Sequence, residues 1–448
     1  MEIKQFEDKP LAHFSYAILS EDKIALVDPA RDPRPYYEYA EENNASIVAV
    51  FETHPHADFV SSHLQVHQET GATIYASKKI GADYPHQAFD DGDTVSMGKV
   101  TFSARNTPGH SPDSITIIAK DEAYKTAAFT GDTLFIGDVG RPDLREKAGN
   151  MKAKREELAS MMYDSIKNKF TDLPDDTLIY PAHGAGSLCG KNLSSASMST
   201  LGNERMGNWA FKEQSEEEFV KQILEDQPFI PAYFSHDVDL NKDGAGHYEA
   251  GKAKVASKLN VTALEDDTLV VDTRDEEAYK SRHLPNSINI MARNENDKFE
   301  TWLGSIVKPG EPFYLVANSI KDREELLSRV AKIGYESQVK ALVTLGKGEL
   351  NCERELALDS FISHPEYFTV VDVRNKSEVN EGKIFDHALP IPLHELRNSI
   401  EKIPTDKPVI VHCAGGYRSA AGSSILSKEL DAEVYDLSEA VNEFKDKD

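Results

Sequence analysis

Thr53-His54-Pro55-His56-Ala57-Asp58-Phe59 follows directly on Ile47-Val48-Ala49-Val50-Phe51, an apolar run of strand length. Two imidazoles and a carboxylate therefore leave one strand end together, on a turn stiffened by Pro55. Alternate residues of an extended segment point the same way, so His54 and His56 can reach one point. A single His-x-His is weak evidence for a metal, but similar groups recur at Pro108-Gly109-His110, Thr130-Gly131-Asp132 and Pro181-Ala182-His183. The last two follow apolar runs directly, and His110 comes a few residues after one. Several strand ends carrying ligand-type side chains are what a metal site at the edge of a sheet sandwich needs.

Taken as a set, Thr-His-x-His-x-Asp, Pro-Gly-His, Gly-Asp and Pro-x-His resemble the metallo-β-lactamase superfamily, whose fold is an αββα sandwich. Phe129-Thr130-Gly131-Asp132-Thr133-Leu134-Phe135, with Gly140-Arg141-Pro142-Asp143 behind it, resembles the branch shared by glyoxalase II and the persulfide dioxygenases. The resemblance to the latter implies one iron held by two histidines and a carboxylate, carried over here onto His54, His110 and Asp132. It implies one Fe(II) per chain, with zinc as the alternative ion. His56, Asp58 and His183 would then orient ligands and substrate, or hold a second ion. Phe59 is a departure. In two-metal members this position is a histidine, and hydrolysis by two metals needs ions roughly 3.5–4 Å apart. A phenyl ring coordinates nothing, so one ion is expected.

Length and composition set the outer bounds. A chain of 448 residues is too long for one ordinary core and implies two to four domains. The net charge of -26 argues against nucleic acid as a partner. Cys189, Cys352 and Cys413 are too few and scattered for a disulfide framework. Met1 to Asp8 carries no apolar signal region and no run reaches membrane-spanning length, so a soluble, cytoplasmic, reducing setting is expected, with no membrane partner.

Within the first half, strands are expected at His13 to Leu19, Lys23 to Asp28, Thr73 to Ala76, Val95 to Ala104 and Ser114 to Ala119. Helices are expected at Pro35 to Asn43, His63 to Thr70, Lys152 to Lys169 and Glu216 to Glu225. In the third of these, Leu158, Met161, Met162 and Ile166 form one apolar face. Arg141 and Asp143 are either a structural ion pair or, through Arg141, a hold on an anionic thiol substrate. The loop Gly184-Ala185-Gly186-Ser187-Leu188-Cys189-Gly190-Lys191 offers close backbone approach, with Ser187 and Lys191 as candidate anion-binding groups. Cys189 is a small loop residue or a thiol beside the site. From Pro228 to Gly251 the composition turns to Pro, Gly, Asp and Asn, as in a connector. Asp239 to Gly244 starts like a calcium loop, but its twelfth position is Ala250 where a Glu is required.

The remainder repeats itself at a period of about 100 residues. Leu269-Val270-Val271-Asp272-Thr273-Arg274 is answered by Val370-Val371-Asp372-Val373-Arg374, and His283-Leu284-Pro285 by His387-Ala388-Leu389-Pro390. Both copies resemble rhodanese domains. In the second, the apolar strand Val409-Ile410-Val411-His412 opens into Cys413-Ala414-Gly415-Gly416-Tyr417-Arg418-Ser419. Backbone N–H groups and a helix N-terminus should converge on that cysteine, favouring a thiolate or a persulfide anion, with Arg418 adding positive charge. The first copy has Asn318 and Arg323 at the matching places, and an amide carries no sulfur. That copy reads as a structural spacer.

The sequence therefore predicts a multidomain α/β protein: an αββα metallo-β-lactamase sandwich over 1–235, a linker over 236–254, an inactive rhodanese-like domain over 255–352 and an active one over 353–448. The resemblance implies oxidation of a small-thiol persulfide by O2 to sulfite, then sulfur transfer through Cys413 to give thiosulfate. A metal-dependent thioester hydrolase of the glyoxalase II type is the alternative. Expected partners are the thiol persulfide, O2 and sulfite, and the expected assembly is a homo-oligomer of unstated order.

Overall fold

The computed structural model describes residues 1–123, 125–145 and 154–445. Two compact units are present, one of Met1–Gly251 with Ala331–Gly334, the other of Lys252–Val330 with Tyr335–Asp448. No helix among the described residues is long and apolar enough to cross a membrane.

In the first unit two sheets face each other, each six-stranded over the described residues. One runs Glu2–Asp8, His13–Ser20, Lys23–Val27, Ser46–Phe51, Thr73–Ala76 and Gln87–Ala88. The other runs Thr94–Met97, Val100–Asn106, Ile115–Asp121, Thr126–Gly131, Leu178–Pro181 and Ser199–Thr200. The period of two along each strand explains the layering. Ala25, Val27 and Phe51 face Phe102, Ile117 and Phe129 between the sheets. Their neighbours Ile24, Leu26 and Val50 face outward, under Tyr36, Tyr39 and Val66 of the helices Arg34–Glu42 and His63–Thr70. Ile118, Ala128 and Ile179 are covered on the opposite outer face by Ala159, Met162 and Ile166 of Arg155–Asn168 and by Phe219 and Ile223 of Glu216–Leu224. This is the expected αββα order.

Three local expectations differ. The apolar run from Val95 is a hairpin, Thr94–Met97 with Val100–Asn106, turning at Gly98, whose φ is +55°. Met161 is 40% exposed, at the margin of the buried stripe that Leu158, Met162 and Ile166 form. The start of that helix, expected from Lys152, lies outside the described residues as far as 153. Finally, the connector predicted over 236–254 is helical, Phe234–Asp243 and Tyr248–Ala253, with Phe234, Val238 and Tyr248 buried. Turn-rich composition concealed an amphipathic spacing there.

The second unit contains two parallel sheets. Ala256–Val261, Val339–Leu345, Phe313–Ala317, Leu269–Asp272 and Ser287–Asn289 form one. Leu389–Pro390, Thr369–Asp372, Val409–His412 and Val434–Asp436 form the other. The repeated Asp-x-Arg is a staple at a strand end. Arg274 Nη2 and Arg374 Nη2 each donate at 2.7 Å to the aspartate two residues before them and also reach a carbonyl, of Arg282 at 2.7 Å and Gly382 at 3.0 Å respectively. That signature marks the fold and not the chemistry.

Candidate functional site: a metal centre and a cysteine loop

His54, His110 and Asp132 come together although they lie far apart in sequence. One ligand-type atom from each lies within 4.8 Å of the others, and all three residues are buried. Asp132 Oδ2 is 3.7 Å from His54 Nε2 and 3.5 Å from His110 Nε2. His54 Nε2 and Asp132 Oδ2 have no hydrogen-bond partner among the described residues. Buried polar atoms are almost always paired, so an orphaned imidazole nitrogen facing an orphaned carboxylate oxygen fits a bound cation.

Neighbouring groups set the imidazoles for that task. His110 Nδ1 is 2.9 Å from the Arg141 carbonyl, which accepts its proton and leaves Nε2 as the lone-pair atom. Thr53 Oγ1 donates to Asp28 Oδ2 at 2.8 Å and lies 3.0 Å from His54 Nδ1, so it accepts the Nδ1 proton. Asp28 also accepts from the Thr53 amide at 2.8 Å and lies 3.1 Å from His56 Nε2. Glycines permit the close approach: a side chain at Gly140 would collide with the Asp132 carbonyl, and at Gly131 (φ +52°) with Thr53. Burial holds His54 and His110 below the ordinary imidazole range and therefore neutral. Burial opposes ionisation of Asp132, but His183, foremost by its charge and also by its hydrogen bond, keeps the carboxyl well below the usual range. Two neutral imidazoles and one carboxylate result.

On the other side of Asp132 stands a second cluster. His183 Nδ1 lies 2.8 Å from Asp132 Oδ1 and its Nε2 2.8 Å from Asp58 Oδ2. Cys189 is buried within the same 4.8 Å grouping as Asp58 and His183. Burial, with Asp58 and Asp132 adding to it, pushes the Cys189 thiol well above its ordinary pKa, so it stays protonated. Phe59 fills the space beside these groups. Its ring centroid is 3.8 Å from that of His13 and 4.3 Å from that of His56.

The candidate substrate groups are turned inward. Arg141 pairs with Asp143 at 2.6 and 2.7 Å and donates to the Leu188 carbonyl at 3.1 Å, fully buried. Lys191 Nζ donates to the carbonyls of Gln222 at 2.7 Å and Glu225 at 2.6 Å. Ser187 Oγ accepts from the Cys189 amide at 3.1 Å. As placed, these three brace the 184–191 loop, the structural side of the reading for Arg141.

Sequence reasoning missed several supports. Asn241 lies in the segment taken for a linker, yet its Nδ2 donates to the carbonyls of His56 at 2.8 Å and Phe59 at 2.7 Å, and its Oδ1 accepts from the Ser61 amide at 2.7 Å. It clamps the ligand loop. His13 and the buried Arg145–Asp113 pair, 2.7 Å apart, were also unforeseen. Only Asp28 carried a visible signal, a carboxylate directly after the apolar strand Lys23–Val27.

In the second unit, Cys413 leaves the strand Val409–His412 and is 1% exposed. Its Sγ accepts from the amides of Gly416 at 3.1 Å and Gly415 at 3.5 Å, and the helix Tyr417–Glu429 follows at once. Arg418 forms a two-pronged pair with Glu378, at 2.5 and 2.8 Å, so its charge is shared with a carboxylate. Asn318 is exposed in the first copy, and Arg323 donates to the carbonyls of Lys252 at 2.9 Å and Val255 at 2.8 Å.

A metallo-beta-lactamase superfamily model matches residues 8–183, and a rhodanese-like domain model matches 257–344 and again 357–447. The chain is similar to mitochondrial persulfide dioxygenase ETHE1, at 30% identity over 201 residues for the Bos taurus protein, 44% of this chain and 70% of that one. For the human protein the match is 31% over 163 residues, 36% of this chain and 59% of the relative, less than two thirds of its length. Hydroxyacylglutathione hydrolase GloC of Haemophilus influenzae is 28% identical over 209 residues, 42% of this chain and 87% of that protein. A solved metallo-beta-lactamase from Staphylococcus aureus subsp. aureus COL superposes with TM-score 0.67 at 30% identity, over 77% of this chain and 99% of that one.

Proposed function

Because this chain belongs to the metallo-β-lactamase-fold persulfide dioxygenases and carries two rhodanese-like domains, we propose that it oxidises a small-thiol persulfide and moves sulfur through Cys413. The observation that carries the proposal is the buried His54–His110–Asp132 set, in which His54 Nε2 and Asp132 Oδ2 are unpartnered, in the same chain as a cysteine whose sulfur faces two backbone amides. In the first reaction the outer sulfur of the persulfide, both atoms of O2 and one water oxygen give sulfite, with release of free thiol and two protons. In the second, the Cys413 thiolate attacks the outer sulfur of another persulfide and expels the carrier thiolate. Sulfite then takes that sulfur as thiosulfate and Cys413 is regenerated.

His54, His110 and Asp132 would hold one ferrous ion, with zinc the alternative. Bound there, Fe(II) supplies open coordination positions where persulfide sulfur and O2 meet. The protein's own contribution is positional. Thr53 and Asp28 fix His54, the Arg141 carbonyl fixes His110, and His183 holds Asp132 from behind. Phe59, His13 and the buried loop at Cys189 exclude water from that side. In the cysteine loop the Gly415 and Gly416 amides stabilise negative charge on sulfur, whether thiolate or persulfide. The reduced Cys189, Cys352 and Cys413 suit a reducing compartment, and we place the protein in the cytoplasm.

Protein purified without oxygen should carry about one iron per chain and consume O2 when given a thiol persulfide. Two zinc ions with thioester hydrolysis and no O2 uptake would replace this reading by the hydrolase, which the match over 87% of GloC favours as the second possibility. A companion test addresses Phe59. Phe59→His places an imidazole beside Asp58 and His183, and metal content should rise from about one to about two ions per chain. Unchanged content would show that the phenyl ring does not decide the stoichiometry.

A further inference from the structure

The middle rhodanese-like repeat has no cysteine in its loop, yet it holds both flanks of the neighbouring cysteine loop. Downstream, Tyr417 directly follows Gly416, is half-buried, and its hydroxyl donates to the Met291 carbonyl of the middle repeat at 2.7 Å. Further along the same helix, Ser424 Oγ accepts from the Asn289 amide at 2.8 Å. The other flank is the turn at Ser438, whose φ is +47°. A Cβ on Gly416 would lie 3.4 Å from Ser438 Oγ and 3.5 Å from the Glu439 amide, so this turn is the surface Gly416 rests on. Ser438 Oγ in turn donates to the Glu276 carboxylate of the middle repeat, 2.9 and 2.8 Å from its two oxygens. One helical turn away, Lys280 joins Glu276 at 2.6 Å and Asp436 at 2.8 Å, and Asp436 accepts from the Ser438 amide at 2.9 Å.

We propose that Glu276 of the middle repeat is a positioning residue that holds the Ser438 turn, and through it Gly416, against Cys413. The physical need is specific. Gly416 has φ +102°, and an Ala414-Gly415-Gly416 loop has many other conformations open to it. Its amide stabilises charge on Sγ only while it is aimed there, and donors aimed in advance are worth more than donors that must reorganise. A covalently distant helix supplies that constraint here. The role assigned to the Cys413 loop rests on the sulfur-transfer reading above.

The test uses the full-length chain with Cys189→Ser and Cys352→Ser, so that Cys413 alone reports. Alkylation by iodoacetamide is followed across pH, and thiosulfate formation from persulfide and sulfite is measured in parallel. Glu276→Ala and Tyr417→Phe should each raise the alkylation midpoint by about one pH unit, because fewer fixed donors favour the thiolate. Transfer at neutral pH should fall about tenfold, with O2 uptake unchanged. Lys340→Ala, which breaks the exposed Lys340–Asp266 pair of the same repeat, should change nothing. Glu276→Gln serves if the alanine variant does not fold. An unmoved midpoint in both Glu276→Ala and Tyr417→Phe overturns the proposal, as does an equal shift in Lys340→Ala. Because alkylation needs no turnover, a failure of the sulfur-transfer reading would show separately, as absent thiosulfate formation in the parent protein.

Discussion

Asp132→Ala should remove bound metal and lower persulfide-dependent O2 uptake at least about a hundredfold, the upper end of the loss from even an outlying partner of a metal ligand. Asp132 does more than supply one oxygen. Its Oδ2 faces both His54 and His110, while its Oδ1 accepts from His183 at 2.8 Å. It is also the group that keeps His183 charged: burial lowers the His183 pKa, but Asp132 and then Asp58 outweigh burial and hold it well above the ordinary imidazole value. Without Asp132 the two imidazoles lose the one carboxylate that would complete a cation site with them, and His183 loses its larger counter-charge. Sulfur transfer by Cys413 should survive, because Cys413 lies in the other compact unit. Metal analysis, O2 electrode traces and thiosulfate assays on one preparation check all three statements. Loss of both activities with the fold intact would show that the units do not work independently.

Cys413→Ser should have the converse effect, with sulfur transfer reduced at least about a hundredfold because a hydroxyl without an adjacent base is a poor nucleophile and cannot carry sulfane sulfur. O2 uptake should continue, and the product should change from thiosulfate to sulfite. The rival acceptor is Cys189, which sits beside Asp58 and His183. Its thiol is held protonated by burial and by the carboxylates near it, whereas Cys413 Sγ accepts from two amides. The geometry therefore favours Cys413, and Cys189→Ser should leave thiosulfate formation much nearer to wild type. Product analysis of each variant and of the double variant decides the matter. Undiminished thiosulfate from Cys413→Ser would refute the transfer role of the last domain.

The alternation of strands and helices, the repeat in the second half and the recurrence of ligand-type side chains at strand ends were legible in the sequence as local patterns: an apolar run of strand length, a period of two, and a polar group at the strand end. The αββα order and the choice of His54, His110 and Asp132 among those side chains came from the family resemblance. Cys413 was legible for the same reason, since a strand, a glycine pair and a helix start are contiguous in the chain. Other features were decided by tertiary structure alone. Asn241 reads as part of a turn-rich connector, and its clamp on His56 and Phe59 exists only because a distant helix packs there. Arg141 and Lys191 have the charge of anion-binding residues, but which carbonyls and carboxylates reach them first is set by folding, and those partners leave them bracing a loop. Glu276 looks like any solvated helix carboxylate, and its hold on Ser438, 162 residues away, has no trace in either local segment. Periodicity encodes which face of an element is buried. Which polar groups meet across buried faces follows only from the packing of whole elements, because a hydrogen bond between distant residues leaves no mark on the spacing of either.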